Sequence, residues 1–275
     1  MEIPSSEFLE SYEEIDGMNI GYCRYGNGPN YMLTVCGAVG CYAKDWPLTS
    51  LRHFDPELFT IIGIDPPGYG KSRPPDRKQE VLRCNKDAVI CVKLMERLEL
   101  TPFTIVGWSE GSRTSIHVAE TAKGKREIFL ILQIERAVLL ATVTRVDARG
   151  VQVYKGLRNT DQWLPAERAP YLKHYTNEFL KKQWADNCDM VEEAYLMLGG
   201  RFPCHDALPK IACPVLMLNG GQDKFCEDPK SIFPKIKNVK LETHLQGGHD
   251  FPKKFPKWTA EKITAFVKET ARKQA

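Results

Sequence analysis

The stretch Phe103-Thr104-Ile105-Val106-Gly107-Trp108-Ser109-Glu110-Gly111 decides how the rest of the chain is read. An apolar, strand-like run ends in G-x-S-x-G, and a helical segment follows from Glu110. A serine on a tight strand-to-helix turn needs neighbours with almost no side chain, and Gly107 and Gly111 supply them. Such a turn lifts the hydroxyl above the sheet edge. The helix start behind it favours developing negative charge. Ser109 is therefore the candidate nucleophile.

A serine hydroxyl is weak by itself and needs a base. Of the six histidines, His249 lies in Gly247-Gly248-His249-Asp250, after the last strand-like run and before the final helix. Loops at the carboxyl ends of strands are where an open α/β sheet carries its chemistry. His117 falls two turns along the helix after Ser109, His244 falls inside a strand, and His53, His174 and His205 lie in helix-like segments. These five read as structural. The base also needs an acid to orient it. Asp223, in Gly220-Gly221-Gln222-Asp223, ends the penultimate strand. Asp228 is the second choice, but it precedes Pro229 and suits a helix cap. The order Ser109, Asp223, His249 is that of an α/β-hydrolase. An oxyanion hole would draw on the backbone N–H of Glu110 and on that of Ala38, in the turn Cys36-Gly37-Ala38-Val39-Gly40.

Outward from this centre, Met18–Tyr25, Tyr31–Cys36, Phe59–Asp65, Ala137–Thr142, Pro214–Asn219 and Lys240–Leu245 read as strands. Asp87–Leu100 puts Ala88, Cys91, Val92, Met95 and Leu98 on one helical face, and Pro256–Arg272 reads as a closing helix. Apolar strands alternating with helices predict a mostly parallel sheet covered on both faces, the α/β-hydrolase arrangement. Residues 146–209 carry helical signals and many aromatics but no strand run. They are expected to form a helical cap inserted into a core made of 1–145 and 210–275.

The remaining chemistry is sparse. Gly70-Lys71-Ser72 imitates the end of a phosphate-binding loop, but the pattern needs glycine at position 65, which is Asp65. No dinucleotide fingerprint or clustered metal ligands occur, so no cofactor is expected. The 275 residues suit one domain with an insertion, and 43% hydrophobic with 27% charged residues is ordinary for a folded chain. A net charge of +3, from 38 basic and 35 acidic residues, is too balanced to imply a nucleic-acid partner or an anionic membrane surface. The longest apolar stretch, Ile128–Val143, is broken by Gln133, Glu135 and Arg136, so it does not read as a membrane span. Nine scattered cysteines with no C-x-x-C pair fit a reducing compartment. The acidic N-terminus lacks an apolar core and reads as neither signal nor transit peptide. A cytoplasmic monomer is expected, mitochondrial if a precursor segment precedes it.

These residues resemble the α/β-hydrolase superfamily. Asp65-Pro66-Pro67-Gly68-Tyr69-Gly70-Lys71-Ser72-Arg73-Pro74-Pro75-Asp76-Arg77, the Ser109 turn and the segment from Gln162-Trp163 to Trp184 look like the valacyclovir-hydrolase (biphenyl-hydrolase-like) serine hydrolases. The resemblance runs from about Met18 to the closing helix. It implies hydrolysis of α-amino-acid esters, with Ser109, Asp223 and His249 in the triad roles. Three departures stand out. Cys36 replaces a common histidine, Glu110 replaces an aspartate, and Lys123–Gln133 has no counterpart.

A carboxylate beside the nucleophile would attract a cationic amine and repel anions. Glu110 is thus the expected partner of a substrate ammonium, and Trp163, among the cap aromatics, is expected to shape the substrate pocket. The expected partners are a small ester and water. Two other readings are a carbon–carbon bond hydrolase on the same triad, disfavoured by the anionic nature of its substrates, and a non-catalytic binding protein, which should have lost a triad member.

Overall fold

The computed structural model describes residues 8–121, 134–225 and 228–271. The unmatched segment Lys123–Gln133 lies outside them. Eight strands form one sheet: β1 (Phe8–Ile15), β2 (Met18–Tyr25), β3 (Asn30–Val35), β4 (Phe59–Ile64), β5 (Phe103–Trp108), β6 (Ile134–Leu140), β7 (Val215–Gly220) and β8 (Val239–His244). Their order is β1-β2-β4-β3-β5-β6-β7-β8. β1 and β2 pair antiparallel, as do β2 and β4, and every later pair is parallel.

Between the strands run α1 (Tyr42–Asp45), α2 (Leu48–Leu51), α3 (Arg83–Arg97) and α4 (Glu110–Thr121). Next come α5 (Ala148–Leu157), α6 (Pro165–Leu172) and α7 (Asn177–Leu198), followed by α8 (Pro229–Ile232), α9 (Phe251–Lys254) and α10 (Pro256–Ala271). Helices cover both faces, so the inner strands have no polar side. All six residues of β4 and all six of β5 are buried. Leu33, Val35, Ile62 and Ile105 pack with Ala88, Cys91 and Met95 of α3 and Ile116 of α4. On the opposite face Met32, Ile61, Val106 and Leu216 pack with Ile263, Phe266 and Val267 of α10. Burial on two faces at about 25 cal/mol per Å² is the main stabilising contribution.

Between β6 and β7 the chain forms α5, α6, α7 and two 3₁₀ segments, Thr160–Gln162 and Pro203–Lys210, and the one β contact there is the isolated bridge Arg145–Arg201. Asp147 caps α5 by accepting from Gly150 N at 2.7 Å, and Thr176 caps α7 by accepting from Phe179 N at 3.2 Å. Tyr175, Phe179, Leu180 and Trp184 pack onto Val39, Cys41 and Tyr69 of the sheet side. Tyr175 ties the two by donating to Gly40 O at 2.9 Å and accepting from Gly70 N at 3.0 Å.

The false phosphate loop is a structural turn. Asp65 accepts from Tyr42 N at 2.7 Å and Lys71 N at 2.6 Å, so the Lys71 backbone donor is already engaged by a carboxylate. The eight described cysteines are buried and form no disulfide. Among the described residues no helix is long and apolar enough to cross a membrane.

Candidate active site

Ser109 stands at the junction of β5 and α4 with a left-handed backbone, φ 56°. A non-glycine residue at positive φ is strained, and such strain collects where a side chain must be presented. The flanking glycines are sterically required. A Cβ on Gly107 would lie 2.1 Å from Gly111 O, and one on Gly111 would lie 2.4 Å from Val35 O. Ser109 N donates to Leu140 O at 2.9 Å, which fastens the turn to β6.

The loops after β7 and β8 bring Asp223 and His249 to the same edge. His249 Nε2 is 2.9 Å from Ser109 Oγ, and His249 Nδ1 is 2.9 Å from Asp223 Oδ2. With the ring proton on Nδ1, the imidazole donates to the carboxylate and accepts from the hydroxyl. The Asp223 side chain is 3% exposed and that of His249 is 25% exposed, so the acid is shielded while the base meets the site. Asp223 Oδ1 also accepts from Phe225 N at 2.8 Å, leaving Oδ2 aimed at the ring.

The other candidates fall elsewhere. Asp228 caps α8 by accepting from Lys230 N at 3.0 Å. His117 contacts Asn85 and Glu120, His205 contacts Thr144, and His244 stacks on Phe255 with centroids 3.9 Å apart.

The N–H of Glu110 opens α4 and so has no intrahelical acceptor. The N–H of Ala38 has no acceptor among the described residues. Ala38 belongs to a turn closed by Gly40 N donating to Gly37 O at 3.1 Å, with Val39 at φ 49°.

The Glu110 side chain corrects the sequence reading. Its carboxylate is 7% exposed and forms an ion pair with Arg83, which donates through Nε at 3.1 Å and through Nη2. Arg77 Nη2 is 3.7 Å from Glu110 Oε1, and Arg83 Nη2 also donates to Asn187 on α7 at 2.9 Å. Burial would push this carboxyl up, but Arg83, with Arg77 and Arg113 beyond it, outweighs burial and holds it at about 2. The carboxylate is thus neutralised from within the protein, and the expectation of a group open to a substrate amine is not met.

Trp163 donates from Nε1 to Leu157 O at 3.0 Å and packs edge-on against Trp184 and Tyr171, centroids 4.9 and 5.8 Å away. It lies with Tyr171 at the margin of the aromatic cluster that also touches Ala38.

Several residues at the site were not anticipated from sequence. Trp108 donates from Nε1 to His249 O at 2.8 Å, fixing the loop that carries the base. Phe225 lies against the imidazole, centroids 5.2 Å apart. Asp45, with no exposed side-chain surface, accepts from Gly37 N at 3.1 Å and pairs with Lys44 at 2.6 Å and Lys253 at 3.7 Å. Lys253 Nζ sits 4.0 Å from the Trp108 ring centroid. The only sequence signals were an aromatic two residues after Asp223 and a Lys-Asp pair after the glycine turn.

Residues 33–262 match the model of the alpha/beta hydrolase family. Two curated relatives, each named serine hydrolase BPHL and found in Mus musculus and Homo sapiens, are 26% identical over 245 residues, covering 88% of this chain and 80% of theirs. Among solved structures, a haloalkane dehalogenase, DbeA from Bradyrhizobium elkani, superposes with a TM-score of 0.74 at 12% identity, covering 96% of this chain and 99% of that one. MGS-M2, an alpha/beta hydrolase from a deep-sea metagenome library, superposes with a TM-score of 0.73 at 15% identity, covering 94% and 97%. At those identities the structural likenesses speak for the fold alone.

Proposed function

The chain belongs to the alpha/beta hydrolase family, and on that premise we propose that it cleaves small carboxylic esters through a covalent acyl-enzyme on Ser109. That it is a hydrolase rests on the family and on relatives named serine hydrolases. The observation carrying the mechanism is the unbroken relay of two 2.9 Å contacts from Asp223 through His249 to Ser109.

Ser109 Oγ attacks the ester carbonyl while His249 Nε2 takes the hydroxyl proton. Asp223 holds the ring and stabilises the imidazolium. The tetrahedral oxyanion sits between the N–H groups of Ala38 and Glu110. Collapse expels the alcohol, which leaves with the proton from His249. A water then gives its proton to His249 and attacks the acyl-serine, releasing the carboxylic acid and restoring Ser109. The cap formed by residues 146–209 closes over this edge, and Trp163 bounds the substrate space from that side.

The α-amino-ester preference implied by the resemblance fits this chain less well than a plain ester preference. A substrate ammonium would have to displace the Arg83 guanidinium from Glu110. A matched panel of 4-nitrophenyl alkanoates and 4-nitrophenyl α-amino esters tests the reading. A burst of nitrophenol equal to the enzyme, with the acyl group found on Ser109 by mass spectrometry, supports it. Turnover without a burst or an acylated serine under single-turnover conditions contradicts it.

A further inference from the structure

A cavity of about 670 Å³ is lined in part by Lys224 and Phe225, the two residues that follow Asp223. Phe225 lines it and also packs against His249, while Tyr154 lines it and packs edge-on against Phe225 at 5.6 Å. Among the described lining residues Arg145, Arg149 and Lys224 are cationic and Asp147 alone is acidic. Asp147 is already engaged in capping α5. Among the described residues no carboxylate lies within ion-pair distance of Arg149 or Lys224. Val153 and Phe225 add apolar surface.

Arg149 and Lys224, set in a concave site with apolar walls, concentrate their field on whatever enters, and the complementary ligand is an anion with an apolar body. The Glu110 carboxylate does not oppose such a ligand, because it is paired with Arg83.

We propose that this cavity seats an anionic group, a carboxylate or phosphate, carried by the ester substrate, with Arg149 and Lys224 as its principal partners. The proposal rests on the serine-hydrolase reading for the reaction, but the anion site stands independently of it. Chain length decides the reach: the anion must be separated from the scissile carbonyl by the depth of the Phe225 ring, a spacer of several carbons.

Two measurements test it. The first compares kcat/KM for mono-4-nitrophenyl adipate with that for neutral 4-nitrophenyl hexanoate, Ser109→Ala supplying the background. The anionic ester should be preferred at least tenfold, and Arg149→Glu with Lys224→Glu should bring the ratio to within twofold of one. Equal rates, or a preference indifferent to charge reversal, overturn the proposal. The second is calorimetric binding of 4-phenylbutyrate, 2-phenylethyl phosphate and neutral 4-phenylbutanamide to the Ser109→Ala protein. At least one anion should bind at least tenfold tighter than the amide, the tighter of the two identifies the group as carboxylate or phosphate, and charge reversal should abolish the difference. Parity with the amide overturns the anion site. Anion binding without turnover of any ester would instead contradict the hydrolase reading and leave the site standing.

Discussion

The Arg83 guanidinium holds the Glu110 carboxylate through Nε and Nη2, directly behind the residue that carries the candidate nucleophile. The same Nη2 reaches Asn187 on α7, so one buried side chain joins α3, the start of α4 and the helices between β6 and β7. A buried pair of this kind adds little net stability, but removing one member leaves an uncompensated charge. Arg83→Met should therefore cost roughly 3–5 kcal/mol in denaturant unfolding. Arg83→Met with Glu110→Gln should recover most of that loss. A single variant no less stable than the double one would contradict the account.

The same pair predicts an acid transition. The Glu110 carboxyl is held at about 2, below its ordinary 4.5. A lowered folded-state value favours the folded state at pH above 4.5, and that contribution fades as pH falls from 4.5 toward 2. The loss is on the order of 3 kcal/mol. Chemical denaturation at pH 6, 4 and 2.5 should show this decline in the parent and a shallower one in Glu110→Gln. Equal slopes would contradict it.

Asp45 should act on rate more than on binding. It accepts the Gly37 N–H and so fixes the turn that presents Ala38, while Lys44 and Lys253 balance its charge. Asp45→Ala should lower kcat about tenfold, equivalent to about 1.4 kcal/mol of barrier, with KM changed less than threefold. Asp45→Asn keeps an acceptor and should recover part of the rate. A variant altered only in KM would show that the turn is fixed by other means.

Gly107→Ala tests the strand-to-helix turn itself. The added methyl would meet Gly111 O at 2.1 Å and Gly111 C at 2.3 Å, both backbone atoms that cannot step aside cheaply. The expected cost is about 3 kcal/mol or more, with activity lost in whatever protein folds. Full activity at unchanged stability would mean that the turn is looser than its geometry indicates.

The sheet was legible in the sequence where burial on both faces left mostly apolar runs, as in Phe59–Ile64 and Phe103–Trp108. β1 was not, because it is an edge strand paired only with β2. It reads Phe-Leu-Glu-Ser-Tyr-Glu-Glu-Ile, with Ile15 alone fully buried, and exposed glutamates mask any alternation. Ser109, Asp223 and His249 were legible together because each follows the carboxyl end of a strand, and parallel strands bring those ends to one edge. The Glu110 partner was hidden. Arg83 lies 27 residues away, and only the packing of α3 on α4 aims its side chain. Residue type suggested a free carboxylate, whereas tertiary packing supplied an internal cation.

The central claim is that Ser109 is made nucleophilic by His249. A fluorophosphonate probe reacts with serines activated in this way, and peptide mass mapping reports which residue carries it. The account predicts one adduct per chain, on Ser109, absent from Ser109→Ala and slowed at least a thousandfold in His249→Ala. An unlabelled wild-type protein, or labelling that persists at full rate without His249, would contradict it.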